Sequence, residues 1–199
     1  MQRNGLKSER GQAVVIIVVA MVVLLGFTAL AVDGSMVYSD RRHAQSAADS
    51  SSLAGGTHLA QELERNNITN ERMYGASSNC SNIVHMTWIT GDSRMAAKRR
   101  AGDNDFTTFN ANMASDWETS QATGAYTECG KEPVTGLLAG GQQTTLYEEY
   151  YVDMISQITD KTDTAFAHFV FEDELQNTVS AVTRVFPRQP LAYGYAIVA

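Results

Sequence analysis

Apolar and polar positions follow two different rules along this chain. From Ala13 to Val32 all 20 residues are uncharged, and thirteen of them are Val, Ile, Leu or Phe. A helix of that length rises about 30 Å, the thickness of a bilayer's hydrocarbon core. At roughly −0.3 to −0.6 kcal/mol per large apolar residue, the run contributes about −4 to −8 kcal/mol towards insertion. Beyond Asp33 the pattern becomes periodic: Val37, Ala44, Ala48, Gly55 and Leu59 recur at spacings of seven and four, one face of a helix. The predicted element is a long helix over 12–65 that spans a membrane at 13–32 and continues out of it. Its contact face, with Ala44, Ala48, Ser52 and Gly55, is made of small residues and permits close packing. Another subunit or the chain's own domain fits that face equally well. Gly55 and Gly56 each cost about 1 kcal/mol relative to Ala in a helix interior, so a kink or an end there is the alternative to continuation.

The remaining pattern is weaker. Asn66 to Ser81 is polar and reads as a loop, and Ile83 to Thr90, "IVHMTWIT", has the β-branched and aromatic content of a strand. Phe106, Phe109, Met113 and Trp117 recur at helical spacing and are expected in the core. Residues 122–141, rich in Gly and Thr, read as irregular, and Leu146, Tyr150, Met154 and Ile158 as a further helix. "TAFAHFVFED", "TVSAVTRVF" and "AYGYAIVA" read as strands. The expected fold class is α+β, one long amino-terminal helix with short helices and a small, mainly antiparallel sheet. The sequence stops at Ala199 inside an apolar run, so either the last strand is buried or the chain continues.

Charge orients the apolar helix. Arg3, Lys7 and Arg10 against Glu9 give the amino-terminal flank a formal +2, while Asp33, Asp40, Arg41 and Arg42 cancel on the other side. The excess of positive charge places residues 1–11 in the cytoplasm as a leader and 66–199 outside as an extracytoplasmic domain. Subtracting +2 from the chain's −7 leaves −9 for residues 33–199, an acidic balance that argues against nucleic acid as a partner. Cys80 and Cys129 suit an oxidising compartment and are expected as a disulfide, with two unlinked buried thiols as the alternative. The four His residues, at 43, 58, 85 and 168, show no metal-ligand spacing. A cleaved secretion signal competes with the anchor, because Ala29-Leu30-Ala31 has the form of a cleavage site, but the apolar run is longer than the usual signal core.

Gly11 and Gln12, the apolar run with Gly26, Ala31-Val32-Asp33-Gly34, Tyr38, Arg41-Arg42, Gln45, Ala47-Ala48-Asp49 and Leu53-Ala54 occur in that order. Together they resemble the amino-terminal module of the TadE/TadG-like proteins of the Tad (tight adherence, Flp) pilus-assembly system. A weaker similarity lies in "NTVSAVTRVFPRQ", Asn177 to Gln189. The resemblance implies a type IV pilin-like layout, with a membrane-spanning half-helix continuing into a small globular domain. It implies as partners the cytoplasmic membrane, other pilin-like subunits and assembly proteins. It also implies a prepilin-peptidase cut between Gly11 and Gln12. The glutamate usual at the fifth mature position is replaced here by Ile16, so the chain lacks the major pilin's pairing group and reads as an accessory or minor component. That substitution also favours an uncut chain, which would keep Arg3, Lys7 and Arg10 as an anchor.

Catalytic chemistry finds little support. Gly91-Asp92-Ser93 and Gly102-Asp103-Asn104-Asp105 are similar to blocks of the SGNH esterases, but they stand too close together, and no Asp-x-x-His follows to activate Ser93. Ser93 is expected in a turn or at a helix start. The acidic pairs Asp103/Asp105 and Asp160/Asp163 and the run Glu172-Asp173-Glu174 lack the spacing of a calcium loop and read as a solvated face. Lys98-Arg99-Arg100 reads as helix surface. Asn67-Ile68-Thr69 and Asn79-Cys80-Ser81 match the glycosylation sequon, a signal frequent by chance. The expected function is non-enzymatic and without cofactor: a single-pass envelope protein acting by anchoring and subunit packing in pilus biogenesis and adhesion. The alternatives are an anchored extracellular binding module unrelated to pili and a secreted hydrolase.

Overall fold

A computed structural model describes residues 10–74, 80–113, 118–137, 141–166 and 175–189. The elements follow in the order α1 (Arg10–Arg65), α2 (Asn70–Met73), α3 (Cys80–His85), α4 (Thr87–Gly102), β1 (Gly124–Leu137), β2 (Gln143–Thr162) and β3 (Leu175–Val185). The class is α+β, a long apolar helix followed by a small domain with a three-strand antiparallel sheet in the order β1-β2-β3. Two units divide the chain, one of residues up to Asp40 with Lys161–Asn177, the other of Arg41–Asp160 with residues from Thr178 onward.

In the first unit, the apolar turns of α1 are exposed around the whole helix from Ala13 to Gly26, as lipid-facing residues would be. The helix has 56 residues. Its later turns belong to the second unit, where it does not end at Gly55-Gly56 but at Arg65, and there the chain provides its own stop. Asn67 takes a left-handed φ of 52°, the Ile68 N–H donates to Leu63 O at 2.8 Å, and the Asn67 N–H donates to Glu64 O at 3.0 Å. This is a Schellman closure with Asn in the position usually held by Gly, and its flanking apolar residues, Leu63 and Ile68, are both buried.

In the second unit, the carboxy-terminal half of α1 presents Ala44, Ala48, Leu59 and Leu63 to a core completed by Ile83, Ile89, Val152, Met154 and Ile158. Gly55 and Gly56 are buried and serve close approach. A Cβ on Gly55 would stand 2.8 Å from Met154 Cε and 3.0 Å from the Ser93 carbonyl oxygen, and one on Gly56 would overlap the Thr183 methyl. Between them the Ser51 and Ser156 hydroxyls bond, and Thr183 Oγ1 donates to Ser52 Oγ at 3.1 Å. Small polar residues are satisfied here at a backbone separation that larger side chains would forbid.

Four expectations for this unit need correction. Ile83 to Thr90 is helical, the end of α3 and the start of α4. On α4, Ile89, Ser93, Ala97 and Ala101 are buried at intervals of four, a period that eight residues are too few to reveal. Phe106 to Met113 is not a helix, because α4 closes on Asp105 with φ 71° and the Phe106 N–H donates to Ala101 O at 3.0 Å. Asn110 and Met113 then bond to the start of β1, while Phe109 and Met113 are buried as expected of core; Trp117 lies outside the described residues. Residues 124–137 are not irregular but form β1, which pairs with β2 from Gly124↔Gln157 to Leu137↔Gln143. The ring of Tyr151 covers Gly130, and Pro133 is tolerated on this outer strand. Finally, Leu146, Tyr150, Met154 and Ile158 lie on a strand of 20 residues, not a helix. A spacing of four suits one face of either element, and the β-branched and aromatic residues between them favour the strand.

Other expectations fare differently. "TVSAVTRVF" falls on β3. The loop after α1 contains the short α2, whose N-cap Thr69 accepts from the Arg72 N–H. Ala165 and Phe166 are in a bend, and the rest of "TAFAHFVFED" beyond them, like "AYGYAIVA", lies outside the described residues. On the outer face of the sheet, Arg184 of β3 bonds Asp153 of β2 through Nε and Nη2, both at 2.9 Å, and Glu132 of β1 at 3.1 Å. Its guanidinium also lies 3.5 Å over the Tyr151 ring, so one side chain ties all three strands.

Candidate functional site

The sequence-predicted packing residues Ala44, Ala48, Ser52 and Gly55 are all buried, and they pack within their own unit. The opposite side of the same helical stretch is left to solvent. Arg42, Gln45, Ser46, Asp49, Ser50 and Leu53 line a shallow open depression of about 440 Å³. Gln45 Nε2 donates to Asp49 Oδ1 at 2.9 Å, one turn apart, which holds both side chains along the helix. Leu53 is 61% exposed there, and Tyr38, in the first unit, is 69% exposed. The motif residues of α1 therefore divide by face: Ala47 and Ala48 turn inward, while Arg41, Arg42, Asp49 and Leu53 turn outward. The sequence identified the inward face as the contact face. It missed the outward one because polar residues around one exposed leucine look like ordinary helix surface.

Cys80 and Cys129 are joined by a disulfide between α3 and β1, with Cα atoms 5.7 Å apart and a sequence separation of 49. Gly11 and Gln12 lie in the first turn of α1. Ser93 is not in a turn but in the middle of α4, fully buried, with its hydroxyl donating to Ile89 O at 3.2 Å. A hydroxyl buried in mid-helix and bonded to its own backbone is not presented to a substrate as a nucleophile would be. Lys98, Arg99 and Arg100 close α4 at its negative end, and Arg100 pairs with Asp103 at 3.8 Å. His43 packs its ring 5.4 Å from Phe106, and His58 lies within α1; His168, Glu172-Asp173-Glu174 and Asn79 lie outside the described residues. Among the described residues no three His, Cys, Asp or Glu side chains are grouped to hold a metal.

Sequence reasoning also missed Arg94, a buried guanidinium on α4 whose Nη2 donates to Thr90 Oγ1 at 3.0 Å. Burial pulls its pKa below the ordinary arginine value, and the nearby Tyr126 hydroxyl opposes the shift. Burial in turn raises the Tyr126 pKa, Glu128 raises it further, and Arg94 works against both.

Among the described residues one helix is long and apolar enough to cross a membrane, and a disulfide-linked α+β domain follows it. The Tad family model, "Flp pilus-assembly TadE/G-like", matches residues 11–61, which fall within α1. Over that segment the chain is similar to a pilus-assembly family, and the match supports a pilus-related role. No curated protein and no solved structure shows significant similarity to the chain.

Proposed function

We propose that this chain is an accessory or minor pilin-like component of a Tad/Flp pilus-assembly apparatus, working by membrane anchoring and subunit packing. Residues 13–32 span the cytoplasmic membrane once, with 1–11 inside and 66–199 outside. The outward face of α1, from Arg42 to Leu53, meets another pilin-like subunit. The observation that carries this is the division of the family-like residues between two faces. The inward ones serve the domain's own core, whereas Arg42, Asp49 and Leu53 are exposed and contribute nothing to that core. An exposed leucine one turn from a carboxylate, with a guanidinium further back along the same face, offers a second helix both apolar area and charge to pair.

A photo-reactive residue placed at Leu53 in cells that make the pilus tests this. The expected adduct contains a second pilin-like chain, and the same probe at Ala48 gives none, since that position is buried. Adducts from Leu53 that contain only unrelated proteins would favour the binding-module reading. Gly11 and Gln12 remain the proposed peptidase site: intact mass distinguishes an anchored chain beginning near Met1 from a processed one beginning at Gln12. A soluble species beginning at Val32 would overturn both pilus readings.

A further inference from the structure

Asp33 is the first charged residue after the apolar span, and it is 5% exposed. Its carboxylate accepts from two backbone N–H groups: Oδ1 from the Ala165 N–H at 2.8 Å, and Oδ1 and Oδ2 both from the Phe166 N–H at 3.1 Å. These donors belong to the segment that leaves β2 on its way to β3, more than 130 residues along the chain and in the same unit as Asp33. Neither N–H lies in a strand, so the carboxylate supplies the acceptor that a sheet would otherwise provide. The side chain of Phe166 is left 48% exposed.

The helix fixes how far this segment stands from the lipid. Asp33 is one residue beyond Val32, an axial step of about 1.5 Å. Adding the reach of its side chain and one hydrogen bond leaves the Phe166 backbone within about 7 Å of the level where the apolar run ends. The polar layer on each side of a bilayer's hydrocarbon core is itself about 5–8 Å deep. An aromatic ring exposed at that depth has its apolar face available to acyl chains.

We propose that the segment leaving β2 is a second membrane contact of this protein: Asp33 holds the backbone of Ala165 and Phe166 at the lipid boundary, and the Phe166 ring enters the interface. The inference rests on the reading of 13–32 as the membrane span. The occupant is the lipid surface itself, because the tie to Asp33 makes the site continuous with the span. Asp33 thereby acts as a positioning residue that limits rotation and tilt of α1 where it leaves the bilayer.

The test uses the full chain with Trp88→Phe and Trp117→Phe, reconstituted in phosphatidylcholine vesicles brominated either near the headgroup or near the acyl-chain ends. With Phe166→Trp, emission is expected to fall about twofold with the shallow bromines and little with the deep ones, since interfacial aromatic rings sit at headgroup level. A parallel Val23→Trp chain reports the span and is expected to be quenched by the deep bromines. Asp33→Ala is expected to remove most of the shallow quenching at Phe166→Trp and to leave Val23→Trp unchanged. Asp33→Asn, which retains one acceptor oxygen, is expected to lie between, and an intact Cys80–Cys129 bond in each variant confirms a folded domain. If Val23→Trp is quenched and Phe166→Trp is not, the second contact is overturned. Shallow quenching that survives Asp33→Ala overturns the positioning role. Failure of quenching at Val23→Trp overturns the membrane reading instead.

Discussion

Replacing Gly56 by Ala tests whether the small residues of α1 are there for close approach. In an open helix the change would stabilise by about 0.5–1 kcal/mol, because glycine loses the most backbone entropy on folding. Here the new methyl would overlap the methyl of Thr183, a β-branched side chain whose hydroxyl donates to Ser52 at 3.1 Å. Overpacking of this kind costs about 1–3 kcal/mol, and rotating Thr183 away would forfeit a hydrogen bond of about 1 kcal/mol. Steric cost therefore exceeds the propensity gain, and a net loss of about 1–3 kcal/mol is expected. Gly102 supplies the internal control, for a Cβ there would meet nothing within 4 Å at the end of α4. Gly102→Ala is expected to be neutral or to stabilise by up to about 1 kcal/mol. Thermal unfolding of the full chain in detergent, followed by near-ultraviolet circular dichroism, reads both, at about 2–4 °C per kcal/mol for a chain of this size. Equal shifts of the same sign for the two variants would refute the packing argument.

The disulfide offers a larger effect: with Cys80 and Cys129 separated by 49 residues, loop-closure entropy gives about 4 kcal/mol. The double variant Cys80→Ser, Cys129→Ser should unfold at correspondingly lower denaturant, and a variant as stable as the parent would refute that loop argument. At alkaline pH the raised pKa of Tyr126 has a definite sign. The unfolded chain releases the phenolic proton near its ordinary value of about 10 and the folded chain only above it, so stability falls as pH rises through that interval. Tyr126→Phe should flatten this alkaline limb in unfolding experiments, and an unchanged slope would count against burial as the cause.

The long helix was legible because two strong patterns overlap in it, an uninterrupted apolar run and then small residues on one face, and each demands a helix by itself. Its end near residue 65 was legible too, from the polar stretch that follows, but the device that closes it was not. Asn67 in a left-handed turn does the work usually assigned to Gly, whereas the glycines that suggested an end, Gly55 and Gly56, are packing residues in mid-helix. Elsewhere the local signals were ambiguous in physical terms. Leu146, Tyr150, Met154 and Ile158 satisfy both periods, and only pairing with β1 and β3 settles a strand. Ile83 to Thr90 has strand-like residues, yet its buried Ile89 belongs to a period visible only when Ser93, Ala97 and Ala101 are included. The strand β1, with Gly130, Gly136 and Pro133, has the composition of a loop because an outer strand tolerates residues that an inner one excludes. The partner of Asp33 was not legible at all, since nothing local ties it to Ala165 and Phe166.

Along α1 three different surroundings act on one continuous element, and this separates folding from assembly. In the apolar turns no side is preferred, a pattern that suits a helix surrounded by lipid. Around Ala44, Ala48, Ser52 and Gly55 the domain's own core accounts for small residues on one face. Neither accounts for Arg42, Asp49 and Leu53, which are exposed and lie inside the segment similar to a pilus-assembly family. Substitutions on the inward face should therefore change stability before they change assembly. Leu53→Ser should leave stability nearly unchanged, because surface replacements away from packed features stay within about 0.5 kcal/mol. Any loss of piliation it causes would then have to arise at a contact with another chain.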